Sequence, residues 1–136
     1  MNSTKVIMTK SNLEFIGIGH DIVDIPRIAE SISRFGDRFF FKLFTQHEVN
    51  YCKKKQDVAM HFAGRFAAKE AIAKAIGTGF GEYLAWQDVE ILNDELGKPI
   101  VHFSENFLKN FPDYFIDLSI SHTETIASAV AIVFRR

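Results

Sequence analysis

Four short stretches of this sequence carry residues whose types and spacing could bind an anion or move a proton. In Gly17-Ile18-Gly19-His20-Asp21, strand alternation puts Gly17, Gly19 and Asp21 on one face, and Ile16, Ile18, His20 and Ile22 on the other. The two glycines leave bare backbone beside the Asp21 carboxylate, where a ligand could approach closely. A glycine bulge next to a solvated acid is the plainer reading. In the stretch from Gly64 to Gly79, Arg65 and Lys69 are four apart, so on a helix they share a face and repel mildly. An anion bound across them would reverse that cost. Glu70 and Lys74 have the same spacing in the favourable acid-first order, and a solvated ion pair accounts for them equally well. Alanines at 67, 68, 71, 73 and 75 keep this helix slim, so a large ligand could lie close to the charges. Gly77-Thr78-Gly79 offers backbone amides to a phosphate, or simply ends the helix. Ser119-Ile120-Ser121-His122-Thr123 sets a histidine where a strand runs into a turn. There it could bond a phosphate or hold a proton in transit, or have no role. Gly97-Lys98-Pro99 is a rigid turn carrying a cation, ordinarily a solvated hairpin tip.

Elements must hold these residues in place. Residues 14–23 alternate as a strand. Pro26 opens a helix with Ile25, Ile28, Ile32 and Phe35 on one face, capped by Asp24 and ended by Gly36. Thr45-Gln46-His47-Glu48 reads as a capping box for a short helix. Asp57 starts a longer one, rich in alanine and stopped at Gly77. Residues 86–92 and 98–103 read as strands about a turn at 93–97. Ser104 caps a short helix that ends before Pro112, and residues 114–121 and 125–134 form a final hairpin. The expected fold is α+β, with helices early and antiparallel strands late. It makes one domain over residues 14–136, preceded by a loosely held extension over 1–13.

Composition narrows the function classes. A chain of 136 residues, nearly half hydrophobic, suits one domain with a real core. A net charge of −1 excludes a broad electrostatic footprint for nucleic acid, so an anionic partner must meet local basic clusters. One cysteine, Cys52, excludes an internal disulfide framework, and no Cys/His cluster suggests structural zinc. With no apolar run of signal-peptide or membrane-span length, a cytoplasmic protein without a membrane segment is expected. Of the 14 phenylalanines most suit a core, but the run from Phe39 to Phe44 is hard to bury on one face and could meet another chain.

Taken in order, GIGHDIVDIPRI, FAGRFAAKEAIAKAIGTG, LGKP and LSISHT strongly resemble the holo-acyl-carrier-protein synthase family of phosphopantetheinyl transferases, from about Glu14 to near the C-terminus. The resemblance implies helices packed on an antiparallel sheet. It implies transfer of the 4'-phosphopantetheine arm of coenzyme A to a serine of an acyl carrier protein, releasing adenosine 3',5'-bisphosphate, in support of fatty acid biosynthesis. It implies a magnesium ion held by Asp21 and Glu70, a hard cation that also takes waters and phosphate oxygens. Lys74 matches the lysine near the pyrophosphate. Arg65, Lys69, Gly77, Gly79, Pro99, His122 and Thr123 match positions lining the nucleotide site. Glu70, directly or through water, is the first candidate for the base that frees the serine, and Asp21 through a metal-bound water the second. Carrier proteins of this kind are acidic. Arg27, Arg34, Arg38 and Lys42, near helical spacing, would form a docking surface with the Phe39–Phe44 run, although Gly36 interrupts any single face. The family commonly forms homotrimers with active sites between subunits.

Two positions depart from the family pattern. His20 stands where an apolar residue is usual, and by alternation it points away from Asp21, so it is not expected to be a ligand. The extension before Glu14 is longer than usual. A non-catalytic module binding coenzyme A or a carrier would not need both Asp21 and Glu70. A single-strand nucleic-acid binder stacking bases on phenylalanines conflicts with the near-neutral charge.

Overall fold

The computed structural model describes residues 12–136, so the expected extension lies outside the described residues except for Asn12 and Leu13. The elements run β1 (Glu14–Asp24), α1 (Ile25–Phe35), α2 (Asp37–Leu43), α3 (Gln46–Lys53), α4 (Val58–Ile76), a 3-10 turn (Trp86–Asp88), β2 (Val89–Asn93), β3 (Pro99–Phe103), α5 (Glu105–Asn110), β4 (Tyr114–His122) and β5 (Ile126–Arg135). Strands β1, β5 and β4 form one antiparallel sheet in that order, while β2 and β3 pair separately. The α+β expectation holds.

Helix α4 covers one face of the larger sheet, and the sequence explains how it comes so near. A methyl group at Gly17 would overlap the carbonyl oxygen of Ala75, and one at Gly19 that of Ala71. The space cleared by the glycines is therefore filled by the helix backbone. This corrects the expectation that it admits a ligand. The five alanines are likewise all buried, so the slimness of α4 serves close packing against the sheet. From β5, Ala127, Ala129, Ala131 and Val133 are buried on the helix side, joined by Ile116, Leu118 and Ile120 of β4. Phe40, Phe44 and Phe62 stack beside them, so much of the phenylalanine run enters the core.

Most boundaries obey the expected local chemistry. Gly36 and Gly77 end α1 and α4 at φ of 53° and 94°, values that favour glycine. The Thr45–Glu48 capping box forms, Asp57 accepts from Met60 N, and Ser104 accepts from Phe107 N. Asp24 stands at the start of α1 but makes no side-chain cap bond. Residues 86–88 are a turn rather than strand. The buried Asp88 carboxylate accepts from Ala85 N, Ser104 Oγ and Asn106 Nδ2, and this folds the chain before β2 begins. In β1 a register shift between Phe15 and Gly17 turns Ile16 into the core, away from the face that Ile18, His20 and Ile22 share.

Candidate active site

Close packing of β1 on α4 brings Asp21 and Glu70 to the wall of one cleft of 410 Å³, together with Asp24, Arg27, Ser31, Phe39 and Phe66. Glu70 also borders an adjoining cleft of 310 Å³ with Ala73, Lys74, Gly77, Gly79 and Phe80. Lys74 Nζ lies 3.0 Å from Asp21 Oδ1 and donates also to the His20 carbonyl at 3.0 Å. The lysine thus crosses from helix to strand instead of pairing with Glu70 on its own helix. Burial raises the Glu70 pKa above the usual carboxylate range; the Asp21 charge adds to the rise and Lys74 opposes it. Asp21 and Glu70 facing one cleft, with Asp24 on the same wall and Arg27 and Lys74 as the nearby cations, suit a hard divalent cation. Among the described residues no third His, Cys, Asp or Glu completes a metal cluster, so water and ligand oxygens would have to fill the rest of its shell.

A second cluster lies elsewhere on the chain. Arg65, Pro99, Gly97 and His122 line a cleft of 230 Å³ with Tyr51 and His61. The Arg65 guanidinium lies 4.3 Å from the centroid of the Tyr51 ring. Burial, and then Arg65, lower the His61 pKa. Thr123 does not line this cleft: its hydroxyl accepts from Thr125 and Ile126 amides and shapes the β4–β5 turn. The expected nucleotide residues thus divide, with Gly77 and Gly79 beside Glu70, and Arg65, Pro99 and His122 apart from it.

Lys69 joins neither cluster. It is wholly buried, and its ammonium lies 2.8 Å from each of three acceptors: Glu48 Oε1, Trp86 O and Val89 O. The expectation that Lys69 lines a nucleotide site is corrected by this geometry, since an ammonium has three N–H donors and all are taken. The anion opposite it is internal. The Glu48 carboxylate, also wholly buried, accepts in addition from Thr45 N and Ile91 N. Arg65 extends the arrangement, donating to Ile91 O at 3.1 Å and to Asn93 Oδ1 at 2.5 Å. Removing one partner of such a buried pair costs roughly 3–5 kcal/mol. Glu48 was legible as a cap through the capping box, but nothing in that motif signals a buried counter-ion.

Arg27, Arg34, Arg38 and Lys42 are all exposed, on two helices broken at Gly36. Arg38 and Lys42 line a groove of 320 Å³ with Ser31, Phe35, Phe39 and Leu43. Ser31 and Phe39 also border the Asp21–Glu70 cleft, which Arg27 enters, so groove and cleft are continuous. Arg34 and Arg38 lie 5.4 and 5.9 Å from the half-exposed Phe35 ring. His20 bonds Ser128 Oγ at 3.0 Å on the far side of the sheet, turned away from Asp21 as expected. Burial pushes the Cys52 thiol up to about 12, which leaves it without thiolate for chemistry.

Comparison with known proteins follows the same residues. The family model of the 4'-phosphopantetheinyl transferase superfamily matches residues 17–131. The holo-[acyl-carrier-protein] synthase of Protochlamydia amoebophila is 47% identical over 117 residues, covering 86% of this chain and 96% of that protein. The synthase of the same name from Clostridium novyi is 48% identical over 121 residues, covering 87% and 86%. Among solved structures, the Bacillus anthracis holo-(acyl-carrier-protein) synthase in complex with CoA (3',5'-ADP) superposes with a TM-score of 0.77 at 35% identity, over 90% of this chain and 98% of that one. The Helicobacter pylori synthase in complex with coenzyme A gives 0.78 at 34% identity, over 85% and 98%.

Proposed function

This chain belongs to the 4'-phosphopantetheinyl transferase superfamily, and from that premise we propose that it is a magnesium-dependent holo-acyl-carrier-protein synthase. Its substrates are coenzyme A and the serine of an apo-acyl carrier protein, and its setting is cytoplasmic fatty acid biosynthesis. The observation that carries this reading is the single cleft walled by Asp21 from β1 and Glu70 from α4, with Lys74 bonded to Asp21 beside it.

In the reaction the serine Oγ attacks the β-phosphorus of coenzyme A. An O–P bond forms to the serine, and the bond from that phosphorus to the bridging oxygen breaks. The bridging oxygen leaves with the electron pair as part of adenosine 3',5'-bisphosphate. The serine proton must go to a base. Glu70, directly or through water, is the first candidate for that base, since it lines the cleft while Asp21 is engaged by Lys74, and Asp21 through a metal-bound water is the second. Lys74 faces the leaving bisphosphate and offsets its growing charge. Asp21 and Glu70 would hold the magnesium, which when bound neutralises pyrophosphate charge. Arg27, Arg38 and Lys42, around a groove continuous with the cleft, dock the acidic carrier so that its serine enters beside Glu70.

The Arg65–His122 cleft is separate from the Asp21–Glu70 cleft within one chain. A homotrimer that sets one subunit's Arg65 cleft against its neighbour's acidic cleft completes the nucleotide site. The open face of the sheet, with Ile18 and Ile22 each 61% exposed, supports such an assembly.

The direct test incubates the protein with coenzyme A, magnesium and an apo-carrier protein and weighs the carrier. A phosphopantetheine mass increment is expected, and its absence across metal and pH conditions defeats the reading. Asp21→Ala and Glu70→Ala should each abolish the increment. Full activity in either variant removes that residue from the metal pair.

A further inference from the structure

Building on the reading of Asp21 and Glu70 as a cation pair, we propose that Lys69 is a positioning residue. Its tie to Glu48, Trp86 and Val89 sets the axial rotation of α4 and so aims Glu70 at Asp21. The contact with β1 is poorly suited to set that rotation alone. There α4 meets Gly17 and Gly19 through the backbone of Ala71 and Ala75, a seam of small residues whose polar ties, from Lys74 to the His20 carbonyl and Asp21, come from a half-exposed side chain. Such a seam permits close approach but does not select one angle in the way that ridges seated in grooves do.

The flank toward β2 supplies what the seam lacks. Arg65 and Lys69 are spaced about 6 Å apart along the helix axis, and the Ile91 and Val89 carbonyls about 6.6 Å apart along the strand. The two spacings match, so each cation meets its own carbonyl, Arg65 that of Ile91 and Lys69 that of Val89. Two ties one turn apart fix both rotation and slide. Lys69 adds a third point at Trp86 O and is locked by a buried carboxylate. Glu70 follows Lys69 by one residue, about 100° further round the helix, and turns with it. A rotation of about 20° would carry a carboxylate lying about 6 Å from the axis through about 2 Å. That distance is comparable to a whole magnesium–oxygen bond.

The test uses the full chain carrying Lys69→Met together with Glu48→Gln, which removes the tie without leaving a buried charge unpaired. Mn2+ binding is followed by electron paramagnetic resonance, with and without coenzyme A, beside thermal melts and steady-state kinetics. A cooperative melt is expected, with the Mn2+ Kd raised and kcat lowered, each by about 10–100-fold, and the KM for coenzyme A little changed. Asp21→Ala tests the underlying reading. If it binds Mn2+ as the parent does, the cation pair is wrong and the proposal goes with it. If Asp21→Ala loses Mn2+ while the folded double variant keeps parental Mn2+ affinity and kcat, Lys69 is structural only and the proposal is overturned. A raised KM for coenzyme A at unchanged kcat would make Lys69 a nucleotide ligand, which overturns it too. Should the double variant not melt cooperatively, Lys69→Gln, which keeps a donor toward Glu48, enters the same assays. Weakened Mn2+ binding in that protein supports the proposal, and parental affinity refutes it.

Discussion

Lys74 has two acids within reach of its helix turn and bonds the one on the neighbouring strand. That choice matters chemically. A lysine paired with Glu70 would lower the proton affinity of the candidate base, whereas one paired with Asp21 leaves burial in control and the Glu70 pKa raised. Lys74 is about half exposed, so its ammonium can turn toward a phosphate at the cost of a modest ion pair. Lys74→Met is expected to lower kcat by about 10²–10³, the usual loss of one donor aimed at developing charge, with a smaller change in the KM for coenzyme A. Steady-state kinetics over coenzyme A concentration checks this. Equal losses in substrate binding and turnover would assign Lys74 to ground-state binding instead. At this scale Asp21, Glu70 and Lys74 could be singled out because four motifs stand in a set order, and the structure brings the three residues together. Lys69 was misread for a physical reason: a four-residue spacing says which residues share a helix face, but not whether that face looks to solvent or to a strand twenty residues later.

At the scale of elements, the distance between β1 and α4 decides whether the acids meet, and two glycines set that distance. The obstacle to a methyl group at Gly19 is the Ala71 carbonyl, which is helix backbone and cannot swing aside. A methyl group at Gly64, in α4 itself, would lie 3.2 Å from Ile120 Cγ2, the end of a side chain that can shift by tenths of an ångström. Gly19→Ala should therefore cost about 1–3 kcal/mol or more through overpacking and also depress turnover by parting Asp21 from Glu70. Gly64→Ala should cost less, because the helix interior gains roughly 0.5–1 kcal/mol from replacing glycine by alanine. Denaturant midpoints at unchanged slope, read beside activity per folded molecule, separate the two. Caps and stops were readable because their chemistry is local, as at Thr45, Asp57 and Gly77. The strand expected over 86–92 failed in its first three residues, because the partners of Asp88 at Ser104 and Asn106 are distant in sequence. Pairing of β1 with β5, the contact that closes the sheet, joins residues more than a hundred apart and has no local sign.

At the scale of the whole molecule, the two clefts pose a question that one chain does not answer. Gly77 and Gly79 accompany the acids, while Arg65, Pro99 and His122 lie at another cleft. A site shared between neighbours resolves this, and it makes a prediction that no single-chain site can meet. Glu70→Ala removes the acidic half of each site. His122→Glu sets a negative charge in the other half, where a phosphate would bind. Each homotrimer should be inactive or nearly so. Subunits of the two kinds, unfolded together and refolded as a mixture, recombine at random. An interface that takes its acidic half from a His122→Glu subunit and its other half from a Glu70→Ala subunit is then intact. Equal mixing gives about a quarter of the interfaces this composition, so about a quarter of parental activity should return. Carrier modification by the mixture, compared with the two variants refolded separately and then combined, measures the gain. No recovery in a refolded mixture shown by mass to contain mixed trimers would place each active site within one chain. A companion variant tests the surface that holds the trimer. Ile18→Lys on the open sheet face, at a residue that lines neither cleft, should yield a folded monomer with little activity. Light scattering that still reports a trimer for this variant would move the interface to another face.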